Sequence, residues 1–293
     1  MKLRQIEIFN AIFTSGTISS AARDLNVAQP TVSKILKHTE DQLGFLLFQR
    51  SRGRLVATSE ANVLYKETSG IYRQINKLKN TVENLKNPEH GKFRIVSVAA
   101  LGLEVLPRVI QRYREKYKEA QFIYQTHHYN DLVKALFEYD KDLGFALNPP
   151  HKEGIKEITI GEGELVCIYQ NGEFDQYPDR LTLKDIEGHD FISIEASGPL
   201  GNILTERMGF EESNFNSKII AQTYFVARNM VGLGGGIAIV DSLTAKSRGP
   251  GCPKYKGFNP PMKFSVKALH LEDRPLAKTY LDFLRFLKKN IEL

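Results

Sequence analysis

The chain has 293 residues, of which 42% are hydrophobic and 25% charged, and its formal net charge is +6. This length allows more than one hydrophobic core, and no apolar run is long enough to span a membrane. The polar N-terminus carries no apolar signal core, so we expect a cytoplasmic protein without a membrane partner. Cys167 and Cys252 are far apart and lack metal-ligand spacing, which favours reduced thiols over a disulfide or a redox switch.

The positive charge is confined to the N-terminal third. Residues 1–92 contain 14 Lys and Arg against 8 Asp and Glu, whereas the remainder contains 26 of each kind. A basic segment on a neutral body is typical of a nucleic-acid contact made by one domain. Uneven surface charge without a function is the weaker interpretation, because the excess coincides with the motif described next.

Residues 18–43 predict a helix-turn-helix. Ala21, Ala22 and Leu25 recur at helical spacing, and their small face lets another helix approach closely. A four-residue turn follows, and Pro30 suits the first turn of the next helix, where its missing N–H has no role. A polar and basic start of this second helix is what insertion into the major groove requires. The alternative is an ordinary helical hairpin whose lysines face solvent.

A helix precedes this motif and a basic hairpin follows it. The helix is predicted over residues 3–14 and ends at Gly16. Its predicted buried side is formed by Leu3, Ile6, Phe9, Ala11 and Phe13. After the motif, Arg50, Arg52 and Arg54 flank a glycine between two apolar anchors, Phe48 and Leu55. A hairpin, or wing, with its tip at Gly53 would lay these arginines along a phosphate backbone.

A long helix without proline is predicted over residues 59–87. Its apolar residues follow heptad spacing and are Leu64, Ile71, Ile75, Leu78, Val82 and Leu85. So narrow a seam favours a partner helix, and hence a dimer, over packing on the helix's own domain, which would need a wider stripe. The helix stops before Pro88, and residues 88–92 are predicted to form a hinge.

From residue 93 onward, strands alternate with helices, which predicts an α/β domain with a largely parallel sheet. The first unit contains predicted strands 93–98, 120–126 and 143–147 and predicted helices 106–118 and 132–138. A second unit begins near Gly161, with strands 164–169, 191–194, 217–221 and 236–240 and helices 200–208 and 224–231. Strand 266–271 and helix 276–287 are expected to return to the first unit.

Ligands of open α/β sheets bind beyond the carboxyl ends of strands, beside free N–H groups at helix N-termini. Four stretches are placed in this way: residues 99–102, 127–128, 197–201 and 222–224. Residues 197–201 suit an anion best, because glycine permits close approach and a helix start attracts a carboxylate. A plain turn is the alternative for the Gly198–Pro199 pair. Asp241 follows a strand and could meet an ammonium group, although a helix cap is the favoured interpretation.

The sequence marks out neither a metal site nor a catalytic centre. His127 and His128 are adjacent, so on a strand they would point to opposite faces and could not both hold one metal ion. The glycine run 232–236 lacks the Lys-Ser/Thr of a phosphate loop and favours a tight helix-to-strand turn. No nucleophile with a matching base and no carboxylate pair stands out, so we do not expect an enzyme.

Several blocks of the chain resemble LysR-type transcriptional regulators. They are residues 3–9, 19–25, 29–33 and 47–50, followed more thinly by 106–107 and 232–238. The resemblance implies a winged helix-turn-helix domain (1–58), a linker and dimerisation helix (59–87), a hinge (88–92) and an effector-binding domain (93–293). In the effector-binding domain two Rossmann-like subdomains, 93–161 with 267–293 and 162–266, would face each other like a periplasmic binding protein, with two crossover strands between them.

The resemblance also implies roles in binding a pseudo-palindromic double-stranded DNA site. Base edges are expected to face Gln29, Pro30, Thr31, Ser33 and Lys34. Phosphates are expected to contact Lys37, Arg50, Arg52, Arg54 and Thr58. Changes at Ser33 or Lys34 should therefore relax sequence preference, whereas Arg52→Ala should weaken binding to all DNA and lower the salt slope by about one.

No cofactor is expected except a small-molecule co-inducer, for which an amino acid or opine competes with a small aromatic or aliphatic carboxylate. The residues assigned to it are Ala99, Ala100, Leu101, Gly102, His127, His128, Asn148, Ser197, Gly198, Leu200, Gly201, Thr223, Tyr224 and Asp241. Ala99 and Ala100 replace hydroxyl-bearing residues frequent in the family, so donors must come from elsewhere. The resemblance further implies a tetramer through the effector domains and contact with RNA polymerase. A solute-binding protein would leave residues 1–92 unexplained, and a hydrolase would need a nucleophile–base pair.

Overall fold

The computed structural model describes residues 1–51, 54–86, 91–170, 172–194, 198–208, 216–247 and 251–291. The chain forms two compact units, Met1–Thr81 and Val82–Leu293. Helices and one hairpin build the first unit, whereas strands and helices alternate in the second. Within the described ranges, no helix has the length and apolar character needed to cross a membrane.

The N-terminal unit contains the predicted helix-turn-helix and wing. Its elements are α1 (Leu3–Ser15), α2 (Ile18–Asp24), α3 (Gln29–Leu43), β1 (Phe48–Ser51), β2 (Arg54–Ala57) and the start of α4 (Ser59–Lys86). Gly16 ends α1 with a φ of 71°, and Pro30 lies in the first turn of α3, as predicted. The two strands pair antiparallel from Phe48↔Ala57 to Ser51↔Arg54. The predicted tip, residues 52–53, lies outside the described residues.

The buried side of α1 differs from the prediction. Ile8 and Ile12 are 1% and 0% exposed and form the core together with Phe9, whereas Leu3 is 52% exposed. The inward face therefore contains residues 5, 8, 9 and 12. It is rotated about the helix axis relative to the predicted buried side. Glu7 is also buried, because its carboxylate pairs with Lys79 of α4 at 2.6 Å. The packing of α1 against α2, α3 and the hairpin, together with this contact to α4, therefore determines which face is buried.

Thr58 caps the N-terminus of α4, and most of the described apolar residues at heptad spacing in this helix are exposed. The Thr58 hydroxyl accepts a hydrogen bond from the Ala61 N–H at 3.1 Å and donates to the Leu46 carbonyl at 2.9 Å. Ile71 and Leu78 are 49% and 65% exposed, whereas Leu64 packs against the core of the N-terminal unit. The predicted helix end and most of the hinge, residues 87–90, lie outside the described residues.

The C-terminal unit contains every predicted helix and strand, most of them with shifted bounds. Its elements are β3 (Lys92–Ser97), α5 (Ala99–Gly102), α6 (Val105–Lys116), β4 (Gln121–Thr126), α7 (Tyr129–Phe137), β5 (Leu143–Leu147), β6 (Ile155–Tyr169), β7 (Arg180–Leu181), α8 (Leu183–Ile186), β8 (Asp190–Ile194), α9 (Pro199–Met208), β9 (Asn216–Ala221), α10 (Tyr224–Gly232), β10 (Ala238–Asp241), α11 (Ser242–Lys246), β11 (Lys254–Phe258), β12 (Lys263–Leu271) and α12 (Lys278–Asn290). Lys92 belongs to β3 rather than to the hinge. The sequence did not indicate α5, β7, α8 or β11, whereas α11 begins at Ser242, as the cap interpretation of Asp241 predicts.

The sheet is parallel toward its outer parts and antiparallel in its middle. The main order is β4-β3-β5-β12-β6-β11-β7, with β10 also paired to β6, and β8 pairs separately with β9. β3 runs parallel to β4 and β5, and β8 runs parallel to β9. β12, however, runs antiparallel to β5 and β6. The predicted largely parallel sheet is therefore wrong for the centre, because β6 and β12 run in opposite directions across the border between the predicted subdomains.

The last helix returns to the first half of the C-terminal unit, as predicted. Phe283 of α12 packs against Phe93 of β3 and Tyr113 of α6, with ring centroids 5.3 and 5.1 Å apart. Burial raises the pKa of Tyr113 to about 12. This aromatic core anchors β3 and β4, whose carboxyl-terminal ends border the site described next.

Candidate functional site

The exposed start of α3 contains the residues predicted to read DNA bases. Val32 and Leu36 are 0% and 7% exposed and fix the helix on the core. Of the five predicted base readers, Gln29, Pro30, Thr31 and Lys34 are exposed and Ser33 is half-buried. The Gln29 side chain accepts a hydrogen bond from the Ser19 hydroxyl at 3.2 Å. α3 therefore presents a polar and basic N-terminal half to solvent.

A glutamate that the sequence analysis did not single out joins the wing to α3. Glu40 Oε1 accepts hydrogen bonds from the backbone N–H groups of Leu47 and Phe48, at 2.7 and 3.1 Å. This side chain holds the first residues of the hairpin against the helix, so Arg50 on β1 keeps a defined place beside α3. A polar residue on a helical surface eight residues before the strand is a weak sequence signal, which explains the omission.

The predicted phosphate contacts are only partly described. Lys37 and Arg50 are exposed. Arg52 and the side chain of Arg54 lie outside the described residues. Thr58 has a structural role as the cap of α4, which occupies its hydroxyl as donor and acceptor. Its role as a phosphate contact stays a prediction.

The C-terminal unit contains a cavity of about 700 Å³ at the carboxyl ends of β3, β4, β5 and β8. The N-terminal residues of α7, α9 and α10 also border it. Its lining consists of Val98, Ala99, Ala100, Thr126, His127, His128, Tyr129, Asn130, Leu147, Pro150, Ile194, Gly198, Pro199, Leu200, Asn202, Gln222, Thr223, Tyr224 and Phe225. This is the position at which open α/β sheets bind ligands.

The structure brings most of the predicted effector residues to this cavity. Those that line it are Ala99, Ala100, His127, His128, Gly198, Leu200, Thr223 and Tyr224. Leu101, Gly102, Asn148 and Gly201 do not line it. Leu101 is 0% exposed in the core, and the Asn148 N–H donates to the Ser265 carbonyl at 2.7 Å. Ser197 lies outside the described residues.

Several lining residues were missed by the sequence analysis. Thr126 ends β4, Tyr129 and Asn130 begin α7, Asn202 lies in the first turn of α9 and Phe225 follows Tyr224 in α10. All of them lie within four residues of a predicted one. Extending the strand-end rule into the first turn of the next helix would have found them.

The cavity is lined by polar and apolar side chains. Among the lining residues that the structure describes, none is Lys, Arg, Asp or Glu. His128 precedes α7 and does not cap this helix with its side chain, whereas the Thr223 hydroxyl caps α10 by accepting the Val226 N–H at 3.3 Å. The first N–H groups of α7 therefore lack a side-chain acceptor, and the partial positive charge of this helix end lies beside two imidazoles.

Asp241 is a helix cap rather than an effector contact. It is 0% exposed, and its carboxylate accepts hydrogen bonds from the Thr244 N–H at 2.8 Å and the Thr244 hydroxyl at 2.7 Å. It does not belong to the cavity lining. Burial raises the pKa of this carboxyl group, although its hydrogen bonds oppose the shift. The effector assignment of Asp241 is thus wrong, and the favoured cap interpretation is confirmed.

Asp241→Asn is expected to leave stability unchanged or higher at neutral pH, whereas Asp241→Ala should lose about 1–2 kcal/mol. Asparagine keeps a capping oxygen and removes the buried charge. Since the folded-state pKa of Asp241 is raised, its contribution is fully present below the unfolded value and is lost as pH rises through the folded value. Urea unfolding of the three proteins between pH 4 and 8 measures this, and equal losses for both variants would contradict it.

Comparisons with known proteins agree with this architecture. Residues 3–62 match the family described as "Bacterial regulatory helix-turn-helix protein, lysR family", and residues 86–292 match "LysR substrate binding domain". The regulator DgcR of Pseudoalteromonas sp is 42% identical over 99% of this chain and 100% of its own length. AdmX of Serratia plymuthica is 30% identical over 99% and 92%, respectively.

Solved structures show the same fold. Full-length CbnR complexed with its target DNA has a TM-score of 0.69 at 15% identity and covers 99% of each chain. A full-length variant of OxyR from Pseudomonas aeruginosa has a TM-score of 0.68 at 15% identity, covering 98% of each chain. A winged helix-turn-helix joined to an effector-binding α/β domain defines a DNA-binding transcriptional regulator rather than an enzyme. The chain belongs to the LysR family of these regulators.

Proposed function

We propose that a small carboxylate, amino acids included, binds in the cavity of the C-terminal unit and controls transcription. The observation that supports this most strongly is the uncapped N-terminus of α7 beside His127 and His128. Free N–H groups and imidazole donors suit a carboxylate, because both stabilise negative charge without a permanent cation. The lining of Val98, Leu147 and Ile194 would pack the apolar body of such a molecule.

The amino group of an amino-acid effector would need neutral acceptors. Asn130, Asn202 and Gln222 line the cavity and carry carbonyl oxygens that can accept from an ammonium group. Without a described carboxylate in the lining, such contacts would be weaker than an ion pair. Pairs of acids that differ only in the α-amino group therefore test which kind of molecule the cavity prefers.

The experiment is a ligand panel titrated into the full-length protein, with thermal shift and calorimetry as readouts. The panel contains aliphatic and aromatic carboxylates, each with its α-amino counterpart, and one neutral amide as a control. We expect a carboxylate to bind and His128→Ala to weaken it about tenfold, which corresponds to roughly 1.4 kcal/mol. His151→Ala is the matched control, because His151 is exposed and not in the lining. Binding of the amide equal to that of its acid would contradict the proposal.

We further propose that two chains pair through α4 and read a pseudo-palindromic site. The exposed seam residues Ile71 and Leu78 support this, since apolar residues at heptad spacing need a partner helix. Assembly into a tetramer through the effector domains and contact with RNA polymerase belong to the same proposal. Selection of genomic DNA fragments by the purified protein, with and without the bound acid, tests it. Failure to enrich any sequence at moderate salt would contradict specific DNA reading.

Lys34→Ala and Arg50→Ala are expected to weaken DNA binding in different ways. Lys34 lies on the exposed start of α3, so its loss should cost about 1–3 kcal/mol at one base position and relax preference there. Arg50 lies on the wing, so its loss should weaken binding to all sequences and lower the salt slope by about one. Fluorescence anisotropy on operator and scrambled DNA at several salt concentrations separates them. Lys118→Ala, in the C-terminal unit, should change neither quantity.

A further inference from the structure

We propose that Cys252 is a peroxide-reactive thiol whose nucleophilic form is stabilised by the buried side chain of Arg228. Arg228 lies on α10 and is 2% exposed. Its Nη2 donates to Cys252 Sγ at 3.0 Å and to the Ser247 carbonyl at 2.6 Å. Its Nε is buried and has no hydrogen-bond acceptor among the described residues.

A buried guanidinium needs negative charge nearby. Arginine stays protonated in proteins, and removing its charge from water costs several kcal/mol unless an anion compensates. In the described part of the chain, the hydrogen-bond acceptors of Arg228 are one carbonyl oxygen and one sulfur, and no carboxylate is among them. Of these two acceptors, only the sulfur of Cys252 can become an anion. The thiolate form of Cys252 therefore supplies the negative charge that the buried guanidinium of Arg228 needs.

The Ser247 carbonyl is a poor acceptor for the thiol proton. Cys252 Sγ lies 3.7 Å from this oxygen, which makes a weak hydrogen bond for a thiol donor. Arg228 contacts the same carbonyl more closely. The Ser247 carbonyl is therefore engaged mainly by Arg228 rather than by the thiol.

Access distinguishes the two cysteines of this chain. Cys252 is exposed, so a small oxidant in solution can reach its sulfur. Cys167 lies on β6 with 0% exposure, and burial raises the pKa of its thiol well above the ordinary value. Cys167 is therefore an internal control for reactivity in the same molecule.

The reaction follows the ordinary chemistry of a thiolate and a hydroperoxide. The sulfur of Cys252 attacks one peroxide oxygen, so that an S–O bond forms while the O–O bond breaks. The sulfur is oxidised by two electrons to a sulfenic acid, and the other oxygen leaves as hydroxide and takes a proton to form water. The new oxygen is an acceptor of the kind that the Arg228 Nε–H lacks, so the guanidinium can also stabilise the product.

The test uses the reduced full-length protein treated with hydrogen peroxide, with dimedone trapping and mass spectrometry at each cysteine. We expect Cys252 to react at least about ten times faster than free cysteine at pH 7, and Cys167 to stay unlabelled. Arg228→Met keeps an apolar side chain of similar length and should lower the Cys252 rate at least about tenfold. A Cys252 rate equal to that of free cysteine, or one unchanged by Arg228→Met, would overturn the proposal.

A second measurement keeps the test decisive where Arg228→Met does not fold, as judged by circular dichroism. The rate at Cys252 of the native wild-type protein is then compared with its rate in urea. Because the guanidinium contact exists only in the folded chain, unfolding should lower the rate to that of free cysteine. A rate that stays the same or rises in urea would contradict activation by Arg228.

Discussion

Asp142→Ala is expected to destabilise the C-terminal unit by about 3–5 kcal/mol, because it leaves a buried charge without its partner. Arg94 of β3 is 7% exposed. Its Nε and Nη2 donate to the two carboxylate oxygens of Asp142, at 2.9 and 3.0 Å. Such a two-point contact loses both hydrogen bonds at once when the carboxylate is removed.

α12 joins the same network. The Tyr280 hydroxyl donates to Asp142 Oδ2 at 2.9 Å, and its oxygen accepts the Arg94 backbone N–H at 3.0 Å. Burial and the nearby charge of Asp142 raise the pKa of Tyr280 well above its ordinary value, so the hydroxyl keeps its proton. Burial lowers the pKa of Arg94, but the hydrogen bonds and charge of Asp142 outweigh this and raise it overall. The network therefore fastens the last helix of the chain to the first strand of the unit.

Urea unfolding, followed by circular dichroism, measures the expected loss. Tyr280→Phe is the matched control, since it removes one hydroxyl from the network and should lose only about 1–2 kcal/mol. A loss below about 1 kcal/mol for Asp142→Ala would show that water replaces the carboxylate, contrary to the buried ion pair described above.

Gly236→Ala is expected to destabilise the C-terminal unit by about 3 kcal/mol or more, among the largest effects of a single methyl group. Gly236 has a φ of 112°, and a Cβ atom there would lie 2.1 Å from the Asp190 carbonyl oxygen. That oxygen accepts the Ile237 N–H at 2.9 Å, and the Ile192 N–H donates to the Ile237 carbonyl at 2.8 Å. The methyl group would thus push β8 away from the start of β10.

Gly188→Ala is the control for Gly236→Ala. Gly188 has a φ of 81° and nothing within 4 Å of a Cβ atom, so alanine there should lose only about 1–2 kcal/mol, from the left-handed backbone. Differential scanning calorimetry of both variants measures the difference. Equal losses of stability in the two variants would mean that the backbone near Asp190 moves away from the new methyl group without a cost in free energy. Because Ile194 ends β8 at the cavity, we also expect Gly236→Ala to weaken effector binding.

The sequence by itself determined the helix-turn-helix, the wing strands and the alternation of the C-terminal unit. These features depend on local signals such as Gly16 at a helix end, Pro30 at a helix start and runs of alternating apolar residues. The same local reasoning placed eight predicted residues at the cavity, because strand ends followed by helix starts are visible in the chain. It also predicted that the glycine run makes a tight turn, but not that a Cβ atom at Gly236 would collide with the Asp190 carbonyl oxygen.

Only the tertiary structure decided which side of each element faces inward. Ala100 and Leu101 are neighbours and both belong to the core, but only Ala100 also lines the cavity, because the packing of a short helix sets its rotation. The centre of the sheet is antiparallel because the long strands β6 and β12 pair in opposite directions, and no local sequence pattern indicates this pairing. Arg94 and Asp142 are 48 residues apart, and Arg228 and Cys252 are 24 apart. Contacts over such separations depend on how the whole chain packs, since a single sequence carries no local signal that pairs them.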